Sequence, residues 1–233
     1  KEQPFYSKAS MGEVISALSV EEFIKKNGIL YRSYETEVLE KTESELEGGK
    51  CSIHPNLEIE ILDEENYFFK FSKYQDKLLE FYKKRPDFVV PEGRYREIKS
   101  FVERGLQDFS ISRLAEKMPW GVPVPKDSAH VMYVWFDALV SYISAIGWPH
   151  HADTFQMWWP VVQYAGKDNL RQQSAMWQAM LMSAGLPTSK QIVINGFVTS
   201  GAVKMSKSLG NVVYPAQIVA EYGTDALRYY IAR

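Results

Sequence analysis

A single cysteine, Cys51, stands in 233 residues, so no disulfide can close within the chain, and a reducing compartment suits it. Long apolar runs are missing as well: the stretch from Val131 to Ile146 is interrupted by Asp137 and Ser141, which excludes it as a membrane span. The opening Lys-Glu-Gln-Pro resembles no signal peptide. A cytoplasmic location with no membrane partner is the expectation. Nor is there a large charge of one sign. Lys and Arg number 27 against 29 Asp and Glu, a net charge of −2, which argues against a protein that coats nucleic acid by charge alone. Internal repeats and low-complexity tracts are absent from the sequence. The first residue is not methionine, and a longer parent chain is expected from that.

What is present is ordinary for a folded protein: 45% hydrophobic, 14% aromatic and 24% charged residues, enough to bury a sizeable core in one large domain or two small ones. The halves differ. Residues 1–118 carry 19 basic and 23 acidic side chains, and residues 119–233 carry 8 and 6. An anionic ligand is therefore expected in the later half, which is also rich in Trp, Met and Val.

Ser19-Val-Glu-Glu22 has the form of a capping box and predicts a helix through Lys26, with Gly28 as its C-cap. Residues 35–65 are acidic and read as a solvated face, within which Gly48 to Pro55 forms a turn carrying Cys51 and His54. The aromatic-rich segment from Tyr67 to Tyr82 predicts a strand over 67–71, a helix over 72–84 and rings in the core. A further helix is expected over 94–104, stopped by Gly105. From 130 onward strands alternate with helices. Strands are expected at 130–136, 161–165 and 191–195, and helices from Asp137 to Ile146, from Asp168 to Ala184, and over 215–222 and 224–232. Such alternation implies an α/β layer with parallel strands.

Three stretches carry chemistry. Lys204-Met205-Ser206-Lys207-Ser208 places two ammonium groups three residues apart, with hydroxyls between, in a loop after a strand. That arrangement suits a polyphosphate whose charge grows in a transition state, although an exposed polar turn has the same composition. Gly166-Lys167-Asp168 lies between a strand end and a helix start, where open parallel sheets bind ligands. Asp168 there can accept from ribose hydroxyls or simply cap the helix. Tyr133-Val-Trp135-Phe-Asp137-Ala138, with Tyr142 four residues beyond Ala138, can shape a slot for a slim apolar or thioether side chain, or can be core.

Taken with Leu106–Arg113, Gly185-Leu-Pro187, Gly196-Phe197 and the continuation Leu209-Gly-Asn211, these stretches, in their order and spacing, resemble the methionyl-tRNA synthetase family of class I aminoacyl-tRNA synthetases from about Gly28 to Arg233. The resemblance implies attack of the methionine carboxylate on the α-phosphorus of ATP, release of pyrophosphate, and transfer of methionine from the adenylate to tRNA. It implies that Lys204 and Lys207 stabilise the triphosphate, Lys207 being the more critical, and that Arg113 lies near the reacting groups. Gly166 and Asp168 would contact the ATP ribose, and Gly196 and Val198 would supply backbone contacts to adenine. Trp135, Ala138, Leu139 and Tyr142 would line the methionine pocket. Asn169 and Gln173 occupy pocket positions where many members carry an apolar residue and a histidine, and Asn195 replaces a common histidine.

ATP with Mg2+ is the implied co-substrate, and methionine, ATP and tRNA are the implied partners. The family's His-Ile-Gly-His-type signature does not occur in the sequence. The expected fold is therefore the second half of a Rossmann-like nucleotide-binding fold with an α+β connective insertion. On this reading 1–118 is the insertion remnant with linking helices, and 119–233 is the C-terminal catalytic half. Cys51 and His54 match the second pair of a zinc knuckle whose first pair is not upstream, and a structural zinc needs four ligands, so no metal is expected. The alternative expectation is a split-enzyme or non-catalytic module that binds ATP or a partner chain supplying the missing N-terminal half.

Overall fold

The computed structural model describes residues 23–33, 39–41, 59–200, 203–205 and 211–232. Its first sheet is antiparallel. β1 (Phe23–Ser33) pairs with β3 (Ile59–Phe69) from Phe23 opposite Phe69 to Ser33 opposite Ile59. β2 (Leu39–Lys41) extends this pair beside β1, and β5 (Phe109–Ser110) pairs with the end of β3. The helix expected through Lys26 is thus corrected: residues 23–26 are extended, and Gly28 sits in mid-strand opposite Glu64. An 11-residue ladder outweighs a local capping signal, because pairing along the whole length of the partner strand supplies more backbone hydrogen bonds than one capped helical turn. Residues 19–22 and the turn with Cys51 and His54 lie outside the described residues.

The second sheet is parallel, in the order β4 (Val89–Val90), β10 (Gln191–Asn195), β9 (Val162–Gly166). Its register sets Val89 beside Ile192, and Asn195 beside Gly166. α1 (Gln75–Lys84) and α2 (Glu92–Glu103) flank β4 in sequence. The expected aromatic core is present: Phe69, Phe71, Tyr74 and Tyr82 are buried, and the Phe69 and Tyr74 rings stack at 5.6 Å. The predicted strand over 67–71 is the end of β3, which starts earlier and stops at Phe69, and α1 follows one 3-10 turn. Gly105 ends α2 with φ +104, as expected of a C-terminal glycine.

A third, antiparallel sheet has the order β6 (Ser112–Leu114), β8 (Asp127–Met132), β7 (Pro123–Val124). The strand expected at 130–136 starts and ends earlier, because Tyr133 takes an extended conformation (φ −70, ψ 134) as the N-cap of α3 (Val134–Ser144). Asp137 therefore lies in the first turn of α3 and does not cap it. α4 (Ala152–Trp158) leads to β9, and a π-helical turn over Gln172–Met176 runs into α5 (Trp177–Ser183), ended by Gly185 at φ +68. β11 (Thr199–Ser200) and β12 (Val203–Lys204) pair antiparallel. α6 (Pro215–Tyr222) and α7 (Thr224–Ala232) occupy the expected positions. The mixed architecture is α/β. Strand pairing crosses residue 118: β4 joins β10, and β6 joins β8. Among the described residues, no helix is long and apolar enough to cross a membrane.

Candidate functional site

Parallel pairing of β9 with β10 brings two loops to the same carboxyl edge, one starting at Gly166 and the other at Gly196. Gly166 leads into a 3-10 turn over Lys167–Asn169, and the Lys167 ammonium lies 5.5 Å from the centre of the Phe197 ring, so the loops meet. A Cβ added to Gly166 or Gly196 would meet nothing within 4 Å, so the protein's own packing does not require glycine at either position. The bare backbone leaves an open edge that a ligand can approach closely. Asp168 and Val198 are exposed there. Immediately beyond, β11 and β12 set Lys204 opposite Thr199, and the Met205 N–H donates to the Val198 carbonyl at 3.3 Å. Lys207 lies outside the described residues.

α3 supplies the second wall. Trp135, Ala138 and Tyr142 are three and four residues apart and so share one side of the helix, while Leu139 turns into the core at 2% exposure. Trp135 and Tyr142 stay 39% and 37% exposed, values that leave large aromatic faces open on an otherwise apolar helix. Gln173 joins this wall to the helix after Gly166: its Nε2 donates to Tyr142 Oη at 2.9 Å. Asn169, at the end of the 3-10 turn, is half-buried one turn before Gln173. Asp137 is half-buried in the first turn of α3. Burial pushes its carboxyl up to about 6, an effect partly offset by the hydrogen bond from the Ala138 N–H.

Arg113 lies on β6 rather than in either loop, and it is 7% exposed. Its guanidinium donates to Ser110 Oγ at 2.9 Å and to the Ser112 carbonyl at 2.7 Å, and it covers the Tyr133 ring at 4.3 Å. Because Tyr133 caps α3, Arg113 braces the start of the aromatic wall. Among the described residues no group of three or more His, Cys, Asp or Glu is placed to hold a metal ion.

Sequence reasoning did not find the polar side chains behind the wall. Gln163 on β9, Gln178 on α5 and Ser189 are all buried and hydrogen-bonded to one another or to Gln173. A signal existed: amides recur inside otherwise apolar segments at 163, 173 and 178. Buried amides require partners, but nothing local names them.

A family profile described as tRNA synthetases class I (M) matches residues 31–233. The methionine–tRNA ligase of Nostoc sp. is 50% identical over 193 residues, covering 81% of this chain and 36% of that relative. The methionine–tRNA ligase of Thermotoga maritima is 48% identical over 173 residues, 74% of this chain and 27% of the relative. Among solved structures, methionyl-tRNA synthetase of Mycobacterium tuberculosis bound by methionyl-adenylate superposes with a TM-score of 0.84 at 37% identity, covering 97% of this chain and 45% of that one. The chain thus spans about a third of the length of these curated relatives.

Proposed function

The chain belongs to the class I tRNA synthetases (M), and on that premise we propose that it serves as part of a methionine–tRNA ligase, activating methionine with ATP and transferring it to tRNA. The observation that carries this reading is the meeting of two features at one edge. The glycine-bearing ends of β9 and β10 face outward, and the aromatic side of α3 is tied to the helix that follows them through Tyr142 and Gln173.

Methionine lies against Trp135, Ala138 and Tyr142, with Leu139 in the core beneath them and Asn169 and Gln173 behind, and its carboxylate attacks the α-phosphorus of ATP. The bond from that phosphorus to the bridging oxygen breaks, and pyrophosphate leaves with the electron pair. Gly166 and Asp168 hold the ribose, and the backbone at Gly196 and Val198 borders adenine. Lys204 and Lys207 neutralise charge that develops on the leaving pyrophosphate. Arg113 steadies the start of α3 near the reacting carboxylate. The terminal ribose hydroxyl of tRNA then attacks the methionyl carbonyl, and AMP departs. Mg2+ would travel with ATP on its triphosphate oxygens, where it would neutralise part of their charge. We place the protein in the cytoplasm. Residues 1–118 are assigned as the connective-insertion remnant with its linking helices, and 119–233 as the C-terminal catalytic half.

Methionine-dependent ATP–pyrophosphate exchange tests the reading. Lys207→Ala is expected to lower the exchange rate by about 10²-fold or more, since it removes charge stabilisation that grows in the transition state. Unchanged exchange would remove Lys207 from the mechanism. Exchange that appears only on adding a separate N-terminal half would assign the chain to a split enzyme.

A further inference from the structure

The helix that starts after Gly166 is not regular. It opens with the 3-10 turn over Lys167–Asn169, and the π-helical turn over Gln172–Met176 interrupts it before α5. A π-helical turn holds about one residue more than an α-helical one. At about 100° per residue, that rotates whatever precedes it about the helix axis relative to α5. Burial sets the azimuth of α5, whose Trp177, Ala179, Met180 and Leu181 are at most 1% exposed. Asp168, exposed at the carboxyl edge of β9, therefore takes its direction from the π-helical turn.

Such a turn sets its carbonyls out of line with the N–H groups of a regular helix, and buried carbonyls need donors. Two side chains supply them. The Tyr82 hydroxyl, from α1, donates to the Ser174 carbonyl at 2.6 Å, and Gln178 Nε2 donates to the Gln173 carbonyl at 2.8 Å. Burial pushes the Tyr82 hydroxyl well above the usual tyrosine range, so it keeps its proton for this bond. The Ser174 hydroxyl is buried and has no hydrogen-bond partner among the described residues, so Tyr82 grips this residue through its backbone. Just before the turn, the Arg171 guanidinium covers the Phe101 ring of α2 at 4.6 Å, so both linking helices reach the interruption. We infer that Tyr82 is a positioning residue: by donating to a carbonyl of the π-helical turn it holds the interruption in place and so aims Asp168 at the ribose hydroxyls of ATP. This rests on the ATP-dependent reading above and adds a residue of α1 that acts on the ribose contact without touching ATP.

The test is methionine-dependent pyrophosphate exchange by the full-length protein with ATP, 2′-deoxy-ATP and 3′-deoxy-ATP, compared as kcat/KM. Tyr82→Phe removes one buried oxygen and keeps the ring. It is expected to raise the KM for ATP about 3- to 10-fold, the worth of one hydrogen bond, and to cut the preference for ATP over the poorer analogue by a similar factor. In an Asp168→Ala background Tyr82→Phe should not change that preference further. Tyr95→Phe is the control for stability. Its hydroxyl donates to the Tyr82 carbonyl at 2.8 Å and does not reach the turn, so its loss should lower Tm and leave the preference intact. Gln178→Met releases the Gln173 carbonyl, should act in the same direction as Tyr82→Phe, and decides the matter if that variant does not fold. A preference that stays constant in the folded variant overturns the inference, as does an equal fall in Tyr95→Phe or in the Asp168→Ala background. If Asp168→Ala alone leaves the preference unchanged, the ribose assignment of the functional reading is overturned, and this inference with it.

Discussion

Trp135 stands on the open side of α3, so truncating it should act on one substrate. Trp135→Ala is expected to raise the KM for methionine by about 10-fold or more while sparing that for ATP, because the proposed site sets the ring against the amino-acid side chain alone. Steady-state exchange with each substrate varied separately checks this, and equal effects on both would return Trp135 to the core. Asp137, two residues on, bears on stability. Its carboxyl titrates near 6 in the folded protein against an ordinary value of 3.8. Across that window the folded state holds a proton that the unfolded chain has released, so stability falls as pH rises and the penalty is complete above about 7. Asp137→Asn keeps an acceptor for the Ala138 N–H without the charge. It should raise Tm at pH 7.5, with the gain vanishing near pH 4, as read by thermal melts at the two values.

Between elements, two glycines with left-handed backbones separate conformational strain from collision. Gly185 has φ +68 and open space where a Cβ would stand, so Gly185→Ala should cost about 1 kcal/mol from the backbone alone. Gly147 has φ +101, and an added Cβ would lie 2.7 Å from His151 Cβ and 3.2 Å from the His151 carbonyl oxygen. Gly147→Ala should therefore cost about 3 kcal/mol or more, and urea unfolding of the two variants gives the comparison. At this scale the sequence was most readable where signals are short-range. Pro215, Gly223 and Thr224 bracket α6 and α7, and Gly185 marks the end of α5. It was least readable where the partner is distant. β1 carries a helix-like start because nothing near Phe23 announces its pairing with Phe69. That 135, 138 and 142 share one side of α3 was legible from their spacing. The polar side chains behind it were not, because Ser189 meets Gln163 across 26 residues and only folding joins them.

The parallel sheet has one well-covered face and one open one. Gln163 points inward at 4% exposure, whereas Val162 and Tyr164, on the other face of β9, are 37% and 70% exposed. Parallel sheets are ordinarily covered on both faces, so the 233-residue chain alone is expected to self-associate. Tyr164→Lys should lessen that association, as followed by light scattering against concentration. The order of the same sheet also bears on how the chain is made. Val89 and Val90 bond only to Ile192 and Val193 within it, 103 positions later on the ribosome. At ordinary elongation rates of about 5–20 residues per second, β4 waits roughly 5–20 s for its neighbour to be synthesised. During that interval α1 and α2 have emerged with an apolar strand between them and nothing to pair it, a window in which a nascent-chain chaperone would find its substrate.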